Sequence, residues 1–545
     1  MNAAELFVQC LENEGVTEIF GIPGEENLAV MDALLSSPIR FITTRHEQGA
    51  AFMADVYGRL TGKAGVCLAT LGPGATNLVT GFADANMDRA PIIGIAGQGA
   101  TTRLHKESHQ ILDLVNLFAP ISKYSTQIRS ASVVAEIVRK SFKDAQAEKP
   151  GGSFIDFPED IADMPVDIDD TPLKVQSYKT PQAAMSKIEQ AAELISKAKY
   201  PLIMAGNAVI RGNASDQLVA FSEATNIPVA TTFMAKGVIP FSHQHSLGAV
   251  GLQANDYVAC GFDRADVIIC VGYDMVEYHP KLWNPNRDKK IIHIDMMPAE
   301  VDAHYILQAG VIGEIGYSLD AIAKLAKAKT NFEAGSLRET IVEEFSKFAN
   351  DESFPIKPQK IIWDLRQALE PEDIVISDVG AHKMWMARMF QAERPNTCII
   401  SNGFASMGIG VPGAIAAKIA YPDRTALTVT GDAGFLMNSQ EIETALRIGT
   451  ALVILVWTDS EYGLIKWHQM RHYGRESNIK FNNPDFVKYA ESLGAIGYRV
   501  ESAEQLLPTI HQAIKDDTVV IIDCPVDYSE NMKLTEKLGH LVCPI

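Results

Sequence analysis

The stretch TALTVTGDAGFLMNSQEIETALRIGTALVILVWTDS, residues 425–460, decides the fold. Its two apolar runs, ALTVT and ALVILVW, are short and end in Gly or Thr-Asp, and a single helical pattern lies between them. That is the signature of a βαβ unit, two parallel strands joined by a crossover helix. The first run passes into Gly431-Asp432-Ala433-Gly434, small residues that leave main-chain N–H groups free to wrap an anion at a helix start. A diphosphate suits such a turn. Asp432 beside an anion is repelled unless a cation intervenes, and magnesium takes carboxylate and carbonyl oxygens together with phosphates. Asp459 ends the second run 27 positions later. Both aspartates are therefore expected at the carboxyl ends of neighbouring strands, where doubly wound sheets bind ligands. Either one alone would serve equally well as a cap for the helix or loop that follows it.

The same alternation of short apolar runs and helical patterns extends over the whole chain of 545 residues, which is long enough for about three domains. TEIFGIPG, GVCLATLGPG, APIIGIAGQG and GSFIDFPED form a first cluster; YPLIMAGNA, IPVATTF, ADVIICVGYD and KKIIHIDMMP a second. DIVISDVGAH, CIISNGFASMG, ALTVTGDAGF, ALVILVWTDS and TVVIIDCPVD form a third. The Pro- and Asp-rich stretch 164–184 and the stretch 348–360 read as linkers. The fold class is α/β, with three doubly wound parallel-sheet domains at 1–165, 185–345 and 357–545. The first and third clusters are candidates for similar domains, with too little sequence likeness to establish it.

Composition narrows the function. A formal charge of −19 disfavours binding to nucleic acid or to an anionic membrane surface, so a small-molecule substrate is expected. No run of about 18 apolar residues is present, and MNAAELFVQCLENEG reads as a first amphipathic helix rather than a signal peptide. A cytoplasmic protein is the expectation. Cys10, Cys67, Cys260, Cys270, Cys398, Cys524 and Cys543 are scattered without metal or redox spacing and read as reduced core thiols. GAVGLQAN (248–255) has no clean strand before it and is a poor dinucleotide fingerprint.

The glycine turn and the two aspartates resemble the metal and diphosphate motif of thiamine diphosphate enzymes. The family pattern, Gly-Asp-Gly and then Asn-Asn, reads here as Gly431-Asp432-Ala433 and Thr458-Asp459. The resemblance implies magnesium held by Asp432, Asp459 and the main-chain carbonyl of Glu461, with Gly431, Ala433, Gly434 and Tyr462 at the cofactor. RHEQGAAFMADVYGR (45–59) is similar to the element of acetolactate and acetohydroxyacid synthases whose Glu, here Glu47, reaches N1′ of the aminopyrimidine. TLGPGATNLVTGFADA (70–85) resembles the first-domain Gly-Pro-Gly turn and helix, which implies Gly72 at the cofactor. SDVGAHKMW (377–385) resembles the family segment whose His contacts the diphosphate, which implies His382 there, and SNGFASMGIGVPGAIAA (401–417) resembles the loop that implies Met407 beneath the thiazolium and the carbonyl of Ala405 at the 4′-amino group. Each segment has a plainer reading: Glu47 as a charge at a helix start, Gly72 in an ordinary turn, His382 at the surface, Met407 as core filler.

The reaction implied is decarboxylation of a 2-oxo acid. Pyruvate decarboxylases carry a His-His pair for proton handling, whereas this chain reads His109-Gln110; Gln cannot act as an acid near neutral pH but can hydrogen-bond an acceptor carbonyl. Catalytic roles therefore go to Glu47, Gln110 and His109, and ligation is favoured over protonation. His109-Gln110, Ser401-Asn402-Gly403 and GYDMVEYHPKLWN (272–284) are similar to catabolic acetolactate synthases, which join two pyruvates into 2-acetolactate. The anabolic branch places a Trp five residues after the Gly corresponding to Gly463, whereas here Trp467 stands at the fourth. Trp467 is a substrate candidate, as are Arg89 and Arg388 for a carboxylate. Gly272-Tyr273-Asp274-Met275 replaces the anabolic Arg-Phe-Asp-Asp-Arg stretch, so FAD is not expected. A homodimer or homotetramer with sites at the dimer interface follows from the resemblance. Gly81, Ala83 and Ala85 fit close packing there, and packing within the chain accounts for them equally. The alternatives are a decarboxylase releasing aldehyde, a carboligase with another acceptor, and a nucleotide-binding or sensory protein on the same fold class.

Overall fold

The computed structural model describes residues 1–176, 179–251, 257–330 and 335–535. Cys543, the side chain of Cys260 and residues 252–255 of the GAVGLQAN stretch lie outside the described residues. Among the described residues, three parallel sheets of six strands each follow one another along the chain. The first contains β1 (Glu18–Gly21), β2 (Arg40–Thr43), β3 (Gly65–Ala69), β4 (Ile92–Gln98), β5 (Tyr124–Gln127) and β6 (Gly152–Pro158), in the order β2-β1-β3-β4-β6-β5. The second contains β7 (Pro201–Ala205), β8 (Val229–Thr231), β9 (Ser246–Ala249), β10 (Val267–Val271), β11 (Lys290–Asp295) and β12 (Leu307–Ile312), in the order β12-β11-β10-β7-β8-β9. The third contains β13 (Ile374–Ser377), β14 (Cys398–Ile400), β15 (Ala426–Gly431), β16 (Leu452–Thr458), β17 (Ile496–Arg499) and β18 (Val519–Pro525), in the order β14-β13-β15-β16-β18-β17. The first and third orders are the same when each strand is numbered within its sheet. The two clusters that sequence could not relate thus share a topology, and the second sheet differs.

The apolar runs quoted above all fall on strands. Five strands carried no such run: β2, β5, β9, β12 and β17, each at the edge of its sheet. Buried on fewer sides, several of them have little need of apolar residues; β5 is half-buried throughout and β17 nearly so, whereas β3, β7 and β10 are buried at every position.

The helices that place the site can be numbered in chain order. They are α1 (Ala3–Asn13), α2 (Glu47–Thr61), α3 (Pro73–Met87), α4 (Ala381–Met389), α5 (Gly410–Ala420), α6 (Asp432–Asn438) and α7 (Gly463–Tyr473). The Met1 segment is a helix, as read: the Asn2 side chain accepts the Glu5 N–H at 2.9 Å and the Glu5 carboxylate accepts the Asn2 N–H at 2.8 Å. His46 caps α2 by accepting the Gln48 N–H on Nδ1 at 3.1 Å, and Gly62 ends the helix at φ 70°.

Helix α2 is apolar nearly all round because it is buried nearly all round. Phe52 and Val56 share one core with Leu78 and Phe82 of α3 and with Ala414 and Ile415 of α5 in the third domain. A Cβ at Gly81 would lie 2.7 Å from Cβ of Ala51 and 2.9 Å from the Phe52 nitrogen, so α3 approaches α2 there at a distance only glycine permits. The small residues of α3 thus serve packing within the chain at Gly81. Gly81→Val should overpack this contact at a cost of about 1–3 kcal/mol, read as a lower urea midpoint; an unchanged midpoint would contradict the close approach.

Candidate active site

The two aspartates meet as their spacing predicts, at the carboxyl ends of the adjacent strands β15 and β16. Asp432 opens α6. Its Oδ2 accepts N–H groups of Asp459 at 3.1 Å and Ser460 at 2.7 Å and the Asn483 side-chain amide at 2.7 Å, while Oδ1 accepts the Ala433 N–H at 2.8 Å. With Oδ2 so engaged, Oδ1 keeps the freer lone pair. Burial first, and then the charge of Asp432, push the Asp459 carboxyl up to about 7. Two carboxylates set together in this way call for a cation. The Glu461 carboxylate turns toward Lys466 and toward Lys480, at 3.7 Å from the latter, while its main-chain carbonyl accepts the Gly463 N–H at 2.9 Å with a second lone pair left over. Among the described residues no group of three His, Cys, Asp or Glu side chains could hold a metal. A cleft of about 570 Å³ runs alongside, lined by Asp459, Glu461, Gly463, Trp467 and Tyr528. Trp467 is buried on α7, and Tyr462, partly exposed, donates its N–H to the Ile479 carbonyl at 2.9 Å.

His382 lies on α4 with its ring against Gly431: a Cβ there would stand 3.3 Å from Nδ1. It is buried rather than at the surface, and burial holds it neutral, with its pKa lowered to about 3. Its Nε2 and the Oδ1 of Asn483 are buried without a hydrogen-bond partner among the described residues. Unpartnered buried polar atoms on either side of the Gly431–Gly434 turn fit a site for a group that brings hydrogen-bonding atoms of its own.

The segment between β14 and α5 is held from beneath by Asp378, a residue the sequence reading passed over. Its buried carboxylate accepts N–H groups of Val379 at 2.6 Å, Gly408 at 2.9 Å and Gly410 at 3.1 Å. Met407, half-buried, sits just before that anchor. Ala405 adopts φ 58°, a conformation that costs about 1–3 kcal/mol in a residue with a Cβ and persists only where neighbours enforce it.

In the first domain Glu47 begins α2, only 8% exposed, and accepts the Asn77 side-chain amide at 2.9 Å. A Cβ at Gly74 would lie 3.3 Å from Glu47 Oε1, and one at Gly72, where φ is 50°, would lie 2.7 Å from the Gln110 carbonyl. Glu47 thus lies against the Gly74 end of this turn and Gln110 against its Gly72 end. His109 and Gln110 are exposed, and Gln110 takes φ 59°. Glu441 of the third domain, also unforeseen, braces the approach to α2 by accepting N–H groups of Arg45 at 3.1 Å and His46 at 3.0 Å. Among the described residues no hydrogen bond joins Glu47 or Gln110 to the Asp432–Glu461 turn. Arg388 is paired with Glu344 at 2.8 Å and Arg89 with Asp274 at 3.0 Å; both guanidinium groups are engaged within the chain.

Asp378 ends an apolar run as Asp432 does, and the same signal could have found it. Asn77, Glu441 and Asn483 act across 30, 395 or more, and 51 positions, with no local pattern to mark them.

Comparison with known proteins agrees with this geometry. Residues 1–117 match the N-terminal TPP binding domain of the family described as thiamine pyrophosphate enzyme, residues 188–322 its central domain and residues 378–524 its C-terminal TPP binding domain. A Bacillus subtilis protein named acetolactate synthase is 37% identical, over 99% of this chain and 96% of its own length. A catabolic acetolactate synthase of Raoultella terrigena is 34% identical over 99% and 97%. A probable acetolactate synthase large subunit of Methanocaldococcus jannaschii is 36% identical over 99% and 94%.

Asp378→Ala would leave the Val379, Gly408 and Gly410 N–H groups without their acceptor, at about 1–3 kcal/mol for each that finds no water. The expected result is a lower urea midpoint with faster hydrogen exchange at Gly408 and Gly410; unchanged exchange there would refute the anchor.

Proposed function

Since the chain belongs to the acetolactate synthase family of thiamine pyrophosphate enzymes, we propose that it joins two molecules of pyruvate into 2-acetolactate with release of one CO2. The observation that carries the cofactor part of this reading is the pair Asp432 and Asp459 at the glycine turn, two carboxylates placed where a cation and an anion together relieve their repulsion. The names of the full-length relatives carry the substrate.

In this reading Asp432, Asp459 and the main-chain carbonyl of Glu461 hold magnesium. Gly431, Ala433, Gly434 and His382 receive the diphosphate, with Tyr462 at its edge, and Ala405 and Met407 face the rings. Thiamine diphosphate, when bound, supplies the electron sink for breaking the bond to the departing carboxylate. The chain's own residues bind, orient and move protons. Glu47, nearly buried and steadied by Asn77, would exchange a proton with the aminopyrimidine nitrogen. Gln110 with His109 orients the acceptor carbonyl; the amide can donate a hydrogen bond but cannot release a proton, which favours carbon–carbon bond formation over release of an aldehyde. Trp467 lines the substrate side of the cleft.

The division into domains at 1–165, 185–345 and 357–545 belongs to this reading. So does a homodimer, or a homotetramer of two dimers, in which the half-site around Glu47 of one chain meets the glycine-turn half-site of the other. FAD is not expected in this reading. At the end of β10 the Asp274 carboxylate is paired with Arg89 and Lys149, each at 3.0 Å, and held down to about 2 in pKa against burial. Among the described residues no helix is long and apolar enough to cross a membrane, and Cys10, Cys67, Cys270, Cys398 and Cys524 are free and buried. Both fit a cytoplasmic enzyme.

Incubated with pyruvate, magnesium and thiamine diphosphate, the protein should yield acetolactate by NMR, converting to acetoin on acidification; acetaldehyde alone would make it a decarboxylase. Glu47→Gln should lower turnover by about 10²–10⁴-fold, and turnover equal to wild type would remove Glu47 from the mechanism. Activity should sediment with dimers or larger species and fail to sediment with monomers, and purified enzyme should show no stoichiometric flavin absorbance.

A further inference from the structure

The first domain reaches into the third at a buried cluster that none of the roles above uses. The guanidinium of Arg59 on α2, largely buried, pairs with three carboxylates: Nε to Asp55 at 2.8 Å, Nη2 to Asp84 at 2.7 Å and Nη1 to Asp88 at 2.8 Å. All three aspartates are essentially without solvent contact. One cation cannot balance three charges, and burial together with the neighbouring carboxylates pushes the Asp84 carboxyl well up from its ordinary range. The buried ammonium of Lys383 on α4 lies close enough for Asp88 and Asp84 to oppose the lowering of its pKa by burial.

What remains of these carboxylates is directed at one loop. Asp84 Oδ1 accepts the Ser401 hydroxyl at 2.7 Å and, more weakly, the Ser406 N–H at 3.4 Å. Asp88 accepts the Asn402 N–H at 3.0 Å through Oδ2 and the Gly403 N–H through Oδ1. Arg59 donates to the Ile400 carbonyl at 3.3 Å. The fit is close: a Cβ at Gly403 would stand 2.5 Å from Asp88 Oδ1 and 3.0 Å from the Met87 carbonyl. The loop is therefore pinned at both ends, by Asp84 and Asp88 before Ala405 and by Asp378 after Met407. Two fixed ends are what keep Ala405 in its left-handed conformation.

We propose that Asp84 and Asp88 are positioning residues for the reaction: by clamping Ser401, Asn402 and Gly403 from the first domain, they set the Ala405 carbonyl and the Met407 side chain against the cofactor without touching it. The inference rests on the functional reading above, in which those two residues face the rings. It assigns to α3 of the same chain a part in shaping the cofactor site, alongside the Glu47 half-site.

The test compares wild type, Asp88→Asn and Ser401→Ala as full-length proteins with magnesium and thiamine diphosphate. Asp88→Asn turns a donor toward one of the two N–H groups and removes the charge that faces Arg59; Ser401→Ala removes one bond and leaves the charged cluster intact, so it covers the case in which the first variant does not fold. Expected for either folded variant are a 10- to 100-fold fall in kcat with the pyruvate KM within about threefold, a several-fold loss of cofactor affinity by equilibrium dialysis, and a changed near-ultraviolet circular dichroism band of the bound cofactor. A folded variant with wild-type affinity and an unchanged band would overturn the proposal, whether or not its kcat or thermal midpoint fell, because a merely structural role predicts that pattern. Failure of the functional reading is distinguishable. Wild type that binds the cofactor but makes another product defeats that reading and leaves the clamp to be judged by affinity and band; wild type that binds no cofactor overturns both.

Discussion

The packing of helix α2 against α5 is the contact on which the rest of the site depends. Phe52 and Val56 on one side and Ala414 and Ile415 on the other belong to a single core, and Gly413 lets the helices close until a Cβ there would be 3.1 Å from Val56. Once that seam is formed, everything attached to the helix starts is placed with it. Glu47 opens α2, and the Asp378-anchored loop with Ala405 and Met407 leads into α5. The equivalence of the first and third sheet orders explains the arrangement, because the two helices follow corresponding strands, β2 and β14.

A purely apolar seam would leave those loops free to slide. Buried charge fixes them, since a carboxylate withdrawn from water is tolerable only where it meets donors. Asp378 takes up the N–H groups of Gly408 and Gly410, Glu441 those of Arg45 and His46, and Asp84 and Asp88 the loop after β14. Each of these acids lies on an element remote in sequence from most of what it holds. The site is thus built by apolar packing for approach and by buried carboxylates for register. Asp432 and Asp459 differ in lying beside the open glycine turn: burial and then the charge of Asp432 raise the Asp459 carboxyl, and a cation there would relieve both.

Much of this was legible in the chain. Every interior strand announced itself as an apolar run, because a strand covered on both faces and flanked on both sides admits little else. Of the six edge strands only β14, with Cys398, Ile399 and Ile400 all buried, had such a run; the others mix polar residues into a half-buried surface. The Asp432 and Asp459 pair was readable from spacing alone, since a short helical crossover between two parallel strands fixes which strand ends are neighbours, although the single helix expected there is split into Asp432–Asn438 and Glu441–Arg447.

The sequence by itself therefore determined the α/β class, the three parallel sheets, the glycine turn with its two aspartates and the acidic residue at the start of α2, all of which depend on interactions within a few tens of residues. Only the tertiary structure decided that the first and third sheets share an order, that Arg89 and Arg388 are engaged in ion pairs, and that Asn483, Glu441, Asp84 and Asp88 hold the site together. The physical reason is range. A strand, a turn or a cap writes its requirement into adjacent positions, whereas a buried carboxylate can satisfy N–H groups more than 300 positions away, as Asp88 and Glu441 do, and leaves no local pattern behind.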